Sequence, residues 1–63
     1  MSKTKSIDVL IVDDHPIVRH GIKTILLTFD DINVIGEAGN GAEALAFCQE
    51  TLPDVILMDI VMP

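Results

Sequence analysis

The 63-residue chain has no tryptophan and no tyrosine, and only two phenylalanines, Phe29 and Phe47, so any core it builds is aliphatic. It has one cysteine, Cys48, which excludes an intramolecular disulfide and fits a reducing compartment; inside an apolar helical pattern such a residue behaves as a small buried hydrophobe. Basic residues are scarce, four against ten acidic ones, and the resulting charge of -6 repels phosphate backbones and anionic lipid headgroups over a Debye length. Direct nucleic-acid binding by these residues is therefore not expected. Long hydrophobic runs are missing too. Lys3 and Lys5 precede an apolar stretch as in a signal peptide, but that stretch is about six residues long and is broken by Asp8, so no secretory or membrane-spanning segment is expected in these residues. Ser2 stands where a myristoylated chain needs glycine. The length leaves room for one small core.

What is present is strongly apolar: 49% of the residues are hydrophobic, too many for a disordered tail. A chain this short buries only about 60% of the surface its unfolded form exposes, so exposed apolar area and a partner to cover it are expected. The apolar residues fall into five blocks. After a polar tail, residues 1–6, Ile7 to Val12 reads as a short strand closed by Asp13, Asp14, His15 and Pro16. Pro16 suits the first turn of a helix, and Val18, Gly21, Ile22, Ile25, Leu26 and Phe29 recur at helical spacing, giving a helix to about Thr28. Gly21 inside it points to close packing against a neighbour. Asp30 and Asp31 turn the chain into a second strand, Asn33 to Ala38. Asn40 with Glu43 resembles a capping box and opens a helix from about Ala42 to Thr51, with Ala42, Leu45, Ala46 and Gln49 setting one face. Pro53 breaks it, and Val55 to Met58 runs without alternation, as in a strand covered on both faces, before Asp59.

The order β-α-β-α-β calls for a parallel α/β sheet, and right-handed crossovers give the strand order 2-1-3 with the helices on opposite faces. Strands 1 and 3 are then neighbours, and ligands bind at the carboxyl ends of strands beside that switch point, where Asp13, Asp14 and Asp59 lie. A single aspartate after a strand is an ordinary turn former or cap. Three together repel one another unless a cation sits among them, and an all-oxygen set suits Mg²⁺. A carboxylate beside Mg²⁺ implies phosphoryl chemistry through an acyl phosphate.

Three stretches, Val9 to Ile22 (VLIVDDHPIVRHGI), Val34 to Leu45 (VIGEAGNGAEAL) and Pro53 to Pro63 (PDVILMDIVMP), resemble the receiver domains of bacterial two-component response regulators, in particular those of LuxR/NarL type. The combination of an acidic pair after strand 1 with Asp-x-x-Met-Pro after strand 3 is specific. The resemblance implies a flavodoxin-like fold in which Asp59 accepts a phosphoryl group from a histidine kinase, while Asp13, Asp14, Asp59 and the backbone carbonyl of Val61 bind Mg²⁺. It implies a phosphoacceptor module, not an enzyme, in a cytoplasmic protein that regulates transcription and touches DNA only through another domain. By the family pattern, residues 7–63 form the amino-terminal half of such a domain. The family's fourth and fifth strands, the Ser or Thr and the Lys that meet the phosphoryl group, and the switch aromatic are not among these 63 residues, so signalling by these residues alone is not expected. Strand 3 would then be an edge, and self-association through it is expected.

Other features carry less. Gly36, Gly39 and Gly41 lack the spacing of a nucleotide-binding loop and read as turn and cap residues. His15 and His20, five apart, do not share a helix face as metal ligands, and His15 is expected at the rim of the acidic site. Met58 and Met62 read as core. Two rivals remain: a Mg²⁺-dependent phosphatase or phosphotransferase of haloacid dehalogenase type, whose Asp-x-Asp is not matched by the adjacent Asp13 and Asp14, and a non-catalytic self-association module.

Overall fold

A computed structural model describes residues 6–59, apart from the side chain of Asp59. The expected tail lies almost wholly outside the described residues, as do Val61 and Met62. The elements follow as β1 (Ile7–Asp13), α1 (Pro16–Leu26), β2 (Ile32–Ala38), α2 (Gly41–Glu50) and β3 (Val55–Asp59). The three strands are parallel in the order β2-β1-β3, so the expected topology holds.

Boundaries moved by one or two residues for local reasons. α1 closes at Leu26, short of Thr28, because the amides of Thr28 and Phe29 turn back to the carbonyls of Ile25 and Leu26, each at 3.1 Å, and tighten the last turn. α2 stops at Glu50 because Thr51 is already extended, at φ -145 and ψ 126. Its start is capped as the sequence suggests: the Glu43 amide donates to Asn40 Oδ1 at 2.8 Å. The return bond differs, since Glu43 Oε1 accepts from the amide of Gly39, one residue before the cap, at 2.6 Å.

β1 is the central strand and is buried from Val9 to Asp13. Leu10 and Val12 form the core with Ala38 and Ala44, and Phe47 and Cys48 pack against it. The face of α2 that meets the sheet is therefore Ala44, Phe47 and Cys48, which corrects the expected face of Ala42, Leu45, Ala46 and Gln49; Leu45 is 63% exposed. Both stripes have helical spacing, and α2 is apolar nearly all round, so periodicity could not choose between them.

Gly21 needs a second correction. It is exposed, and an added Cβ would meet nothing within 4 Å. Arg19, Ile22, Lys23 and Leu26 are the half-buried residues of α1, while Val18, Ile25 and Phe29 are more exposed. The glycine that does permit close packing is Gly36, whose missing Cβ makes room for the Phe47 ring.

The β1–β2 register steps by one: Val9 pairs with Val34 but Leu10 with Gly36, leaving Ile35 as an extra residue in a bulge. Beyond it, Gly36 and Ala38 lie with Leu10 and Val12 under α2, and Glu37 falls on the face of α1. In β3, Val55, Ile56, Leu57 and Met58 are between 39% and 58% exposed. The run reads as a covered strand but is an open edge among the described residues, paired only with β1.

Candidate functional site

β1 and β3 run side by side, and their last aligned pair is Asp13 with Asp59. The strand register thus sets these two backbones next to each other at the carboxyl end of the sheet. α1 begins at Pro16, so Asp14 and His15 occupy the connection directly above. Pro16 takes the first helical position and His15 is the cap residue, making no side-chain cap bond to the helix.

Asp13 is fully buried. Its Oδ1 accepts from the His15 amide at 2.7 Å and lies 3.3 Å from His15 Nδ1. The same ring nitrogen is 2.9 Å from Asp14 Oδ1, which places the half-exposed imidazole at the rim, as the sequence suggests. One potential ligand atom from each of Asp13, Asp14 and His15 lies within 4.8 Å of the other two. Asp13 Oδ2 is buried and has no hydrogen-bond partner among the described residues. A buried carboxylate oxygen without a donor costs free energy unless something binds it, and a hard divalent cation is the group an oxygen-rich cluster suits. Asp13 and Asp14 therefore fit Mg²⁺, by donor chemistry and by the unpaired oxygen. The Asp59 side chain and Val61 lie outside the described residues.

A second set of charges, which sequence reasoning missed, stands behind Asp13. Arg19 Nη1 donates to the Asp13 backbone carbonyl at 2.9 Å, and Arg19 Nε donates to Glu37 Oε1 at 3.2 Å. Lys23 Nζ meets Glu37 Oε2 at 3.1 Å. The hydrogen bond from Lys23 holds the Glu37 carboxyl below the usual glutamate range, with Arg19 adding to the effect and partial burial opposing it. The signal was available: two bases one turn apart interrupt the apolar face of α1, and a lone glutamate interrupts β2.

A parallel sheet ordered 2-1-3, with a helix on each face and carboxylates at the switch point between β1 and β3, defines a flavodoxin-like α/β module with an acidic site. The chain belongs to the response regulator receiver domain family, which matches residues 9–63. It is 53% identical over 57 residues to the response regulator protein VraR of Staphylococcus aureus, covering 90% of this chain and 27% of VraR. It is 51% identical over 55 residues to the transcriptional regulatory protein YhcZ of Bacillus subtilis, covering 87% of this chain and 26% of YhcZ. The chain thus spans about a quarter of the length of these relatives. Among solved structures, the signal receiver domain of NarL from Mycobacterium tuberculosis superposes with a TM-score of 0.84 at 42% identity, covering 95% of this chain and 48% of that one. RcsB from Salmonella enterica serovar Typhimurium, solved bound to promoter rprA in the presence of phosphomimetic BeF3-, gives a TM-score of 0.85 at 32% identity over 94% of this chain and 29% of that one.

Proposed function

We propose that this chain is the phosphoacceptor part of a response regulator, in which Asp59 takes a phosphoryl group from a histidine kinase. A carboxylate oxygen of Asp59 attacks phosphorus, the bond from phosphorus to the kinase imidazole breaks, and an acyl phosphate forms. Asp13 and Asp14 would hold Mg²⁺, with Asp59 and the Val61 carbonyl as further ligands. Bound Mg²⁺ supplies neutralisation of the charge on the transferring oxygens. His15 holds Asp13 Oδ1 through its amide, which leaves Oδ2 as the oxygen for the cation.

The observation that carries this reading is the buried Asp13 Oδ2, without a partner among the described residues, at a strand end whose register partner is Asp59. No observation favours the haloacid dehalogenase alternative, and membership of the receiver family weighs against it. Incubating the chain with a small acyl phosphate and Mg²⁺ should give one hydroxylamine-labile phosphoryl adduct by mass spectrometry, lost in Asp59→Asn. An adduct of the same yield on Asp59→Asn would refute the assignment.

By the same reading residues 7–63 would be the amino-terminal half of a receiver domain, with residues 1–6 standing outside it. Coverage of 48% of the NarL receiver chain supports this division. Its output would be regulation of transcription in the cytoplasm, with DNA contacted by another domain; the charge of -6 supports that separation. Among the described residues no helix is long and apolar enough to cross a membrane. The half-exposed β3 edge supports self-association of the chain by itself.

A further inference from the structure

We infer that Arg19, braced by Glu37, is a positioning residue that fixes which oxygen Asp13 presents to a cation. This assignment rests on the reading of Asp13 as a Mg²⁺ ligand. Asp13 offers three acceptors. Its backbone carbonyl is taken by Arg19 Nη1 at 2.9 Å and its Oδ1 by the His15 amide at 2.7 Å, so among the described residues the buried Oδ2 is the acceptor left without a partner. The carbonyl belongs to Asp13, the final residue of β1, and Arg19 holds it from the helix that follows.

Arg19 is itself held at a second point by Glu37, through Nε at 3.2 Å. Glu37 sits on β2 directly beyond the bulge, with Lys23 on its other oxygen. The planar guanidinium thus ties the end of β1 to β2 with two donors in fixed relation, which a lysine ammonium does not reproduce. Groups that orient metal ligands from behind typically change metal affinity about 10–100-fold when removed.

Coulomb's law alone makes the opposite prediction. Arg19 is a cation beside an acidic cluster, so its removal on charge grounds tightens Mg²⁺ binding. Weaker binding after removal therefore reports geometry.

The test titrates Mg²⁺ into the chain and its variants and follows the backbone amide resonances of Asp14 and His15 by NMR, before and during the titration. Asp13→Asn should lose the Mg²⁺ response. Arg19→Met should shift the His15 amide in the metal-free chain and weaken Mg²⁺ binding about tenfold or more. Arg19→Lys, which keeps the charge, should fall between, and serves where the methionine variant does not fold. Lys23→Met, which removes the other cation on Glu37 without touching Asp13, should leave both readouts as in the wild type. Unchanged or tighter Mg²⁺ binding in both Arg19 variants, with Asp13→Asn inactive, overturns the positioning role while leaving the metal site standing. Equal weakening by Lys23→Met overturns it as well. Wild-type binding by Asp13→Asn removes the metal reading and this inference with it.

Discussion

Gly36 is the tightest point in the packing of α2 on the sheet. An alanine Cβ built there would lie 2.6 Å from Phe47 Cζ, with Cε2 nearer still. That is about 1 Å inside the 3.5–4.0 Å optimum for two carbons, so the ring must move or α2 must lift. Overpacking of this kind costs about 1–3 kcal/mol, against about 0.5–1 kcal/mol gained by replacing a glycine in a strand. Gly36→Ala should therefore lower stability by up to about 2.5 kcal/mol in the wild-type background. In a Phe47→Leu background, where the two nearest ring atoms are gone, the same change should be neutral or stabilising. Urea unfolding followed by circular dichroism suits a chain without tryptophan or tyrosine, and the four chains of the cycle give the coupling directly. If Gly36→Ala costs the same in both backgrounds within about 0.5 kcal/mol, the contact with Phe47 is not what selects glycine.

Three other outcomes follow from the same structure. Asn40→Ala removes the acceptor for the Glu43 amide and should cost about 0.5–2 kcal/mol in urea unfolding, with Asn40→Gly costing only a few tenths. Glu37, held below the usual glutamate range by Lys23 and Arg19, contributes stability that is present above its unfolded value, about 4.3, and is lost as pH falls through the lower folded value. Acid titrations of stability should accordingly be flatter below about pH 4.3 in Glu37→Gln than in the wild type, and superimposable curves would refute the linkage. Sedimentation should show mass rising with concentration as exposed β3 edges meet, and Leu57→Lys should suppress the rise; a monomer at every concentration counts against the edge as a pairing surface.

The architecture was readable because each element carries its own punctuation. Pro16, the Asp30–Asp31 turn, Asn40 with Glu43, and Pro53 divide the chain where the structure divides it, and the β-α-β-α-β order with right-handed crossovers then leaves little choice of topology. The nearness of Asp13 and Asp59 follows from that order alone. Three features were hidden because they depend on how faces rotate in space. α2 has two apolar stripes, and only the sheet selects Ala44, Phe47 and Cys48. Gly21 and Gly36 look alike in sequence, yet one faces open space and the other a ring. Arg19 and Lys23 interrupt an apolar face in the sequence, but the interruption does not name its partner; their aliphatic stems allow them to lie along that face while their heads reach Glu37.

The extra residue in β2 has a consequence for chain length. Val34 and Gly36 already pair with consecutive residues of β1, so a chain lacking Ile35 would keep all six β1–β2 partners opposite one another. Deleting a residue inside the continuously paired run from Val55 to Asp59 would instead turn every side chain on one side of the cut to the other face. Ile35 is thus a spare link: a point inside the described sheet where a length change can arise without shifting the residues that hold the acidic site.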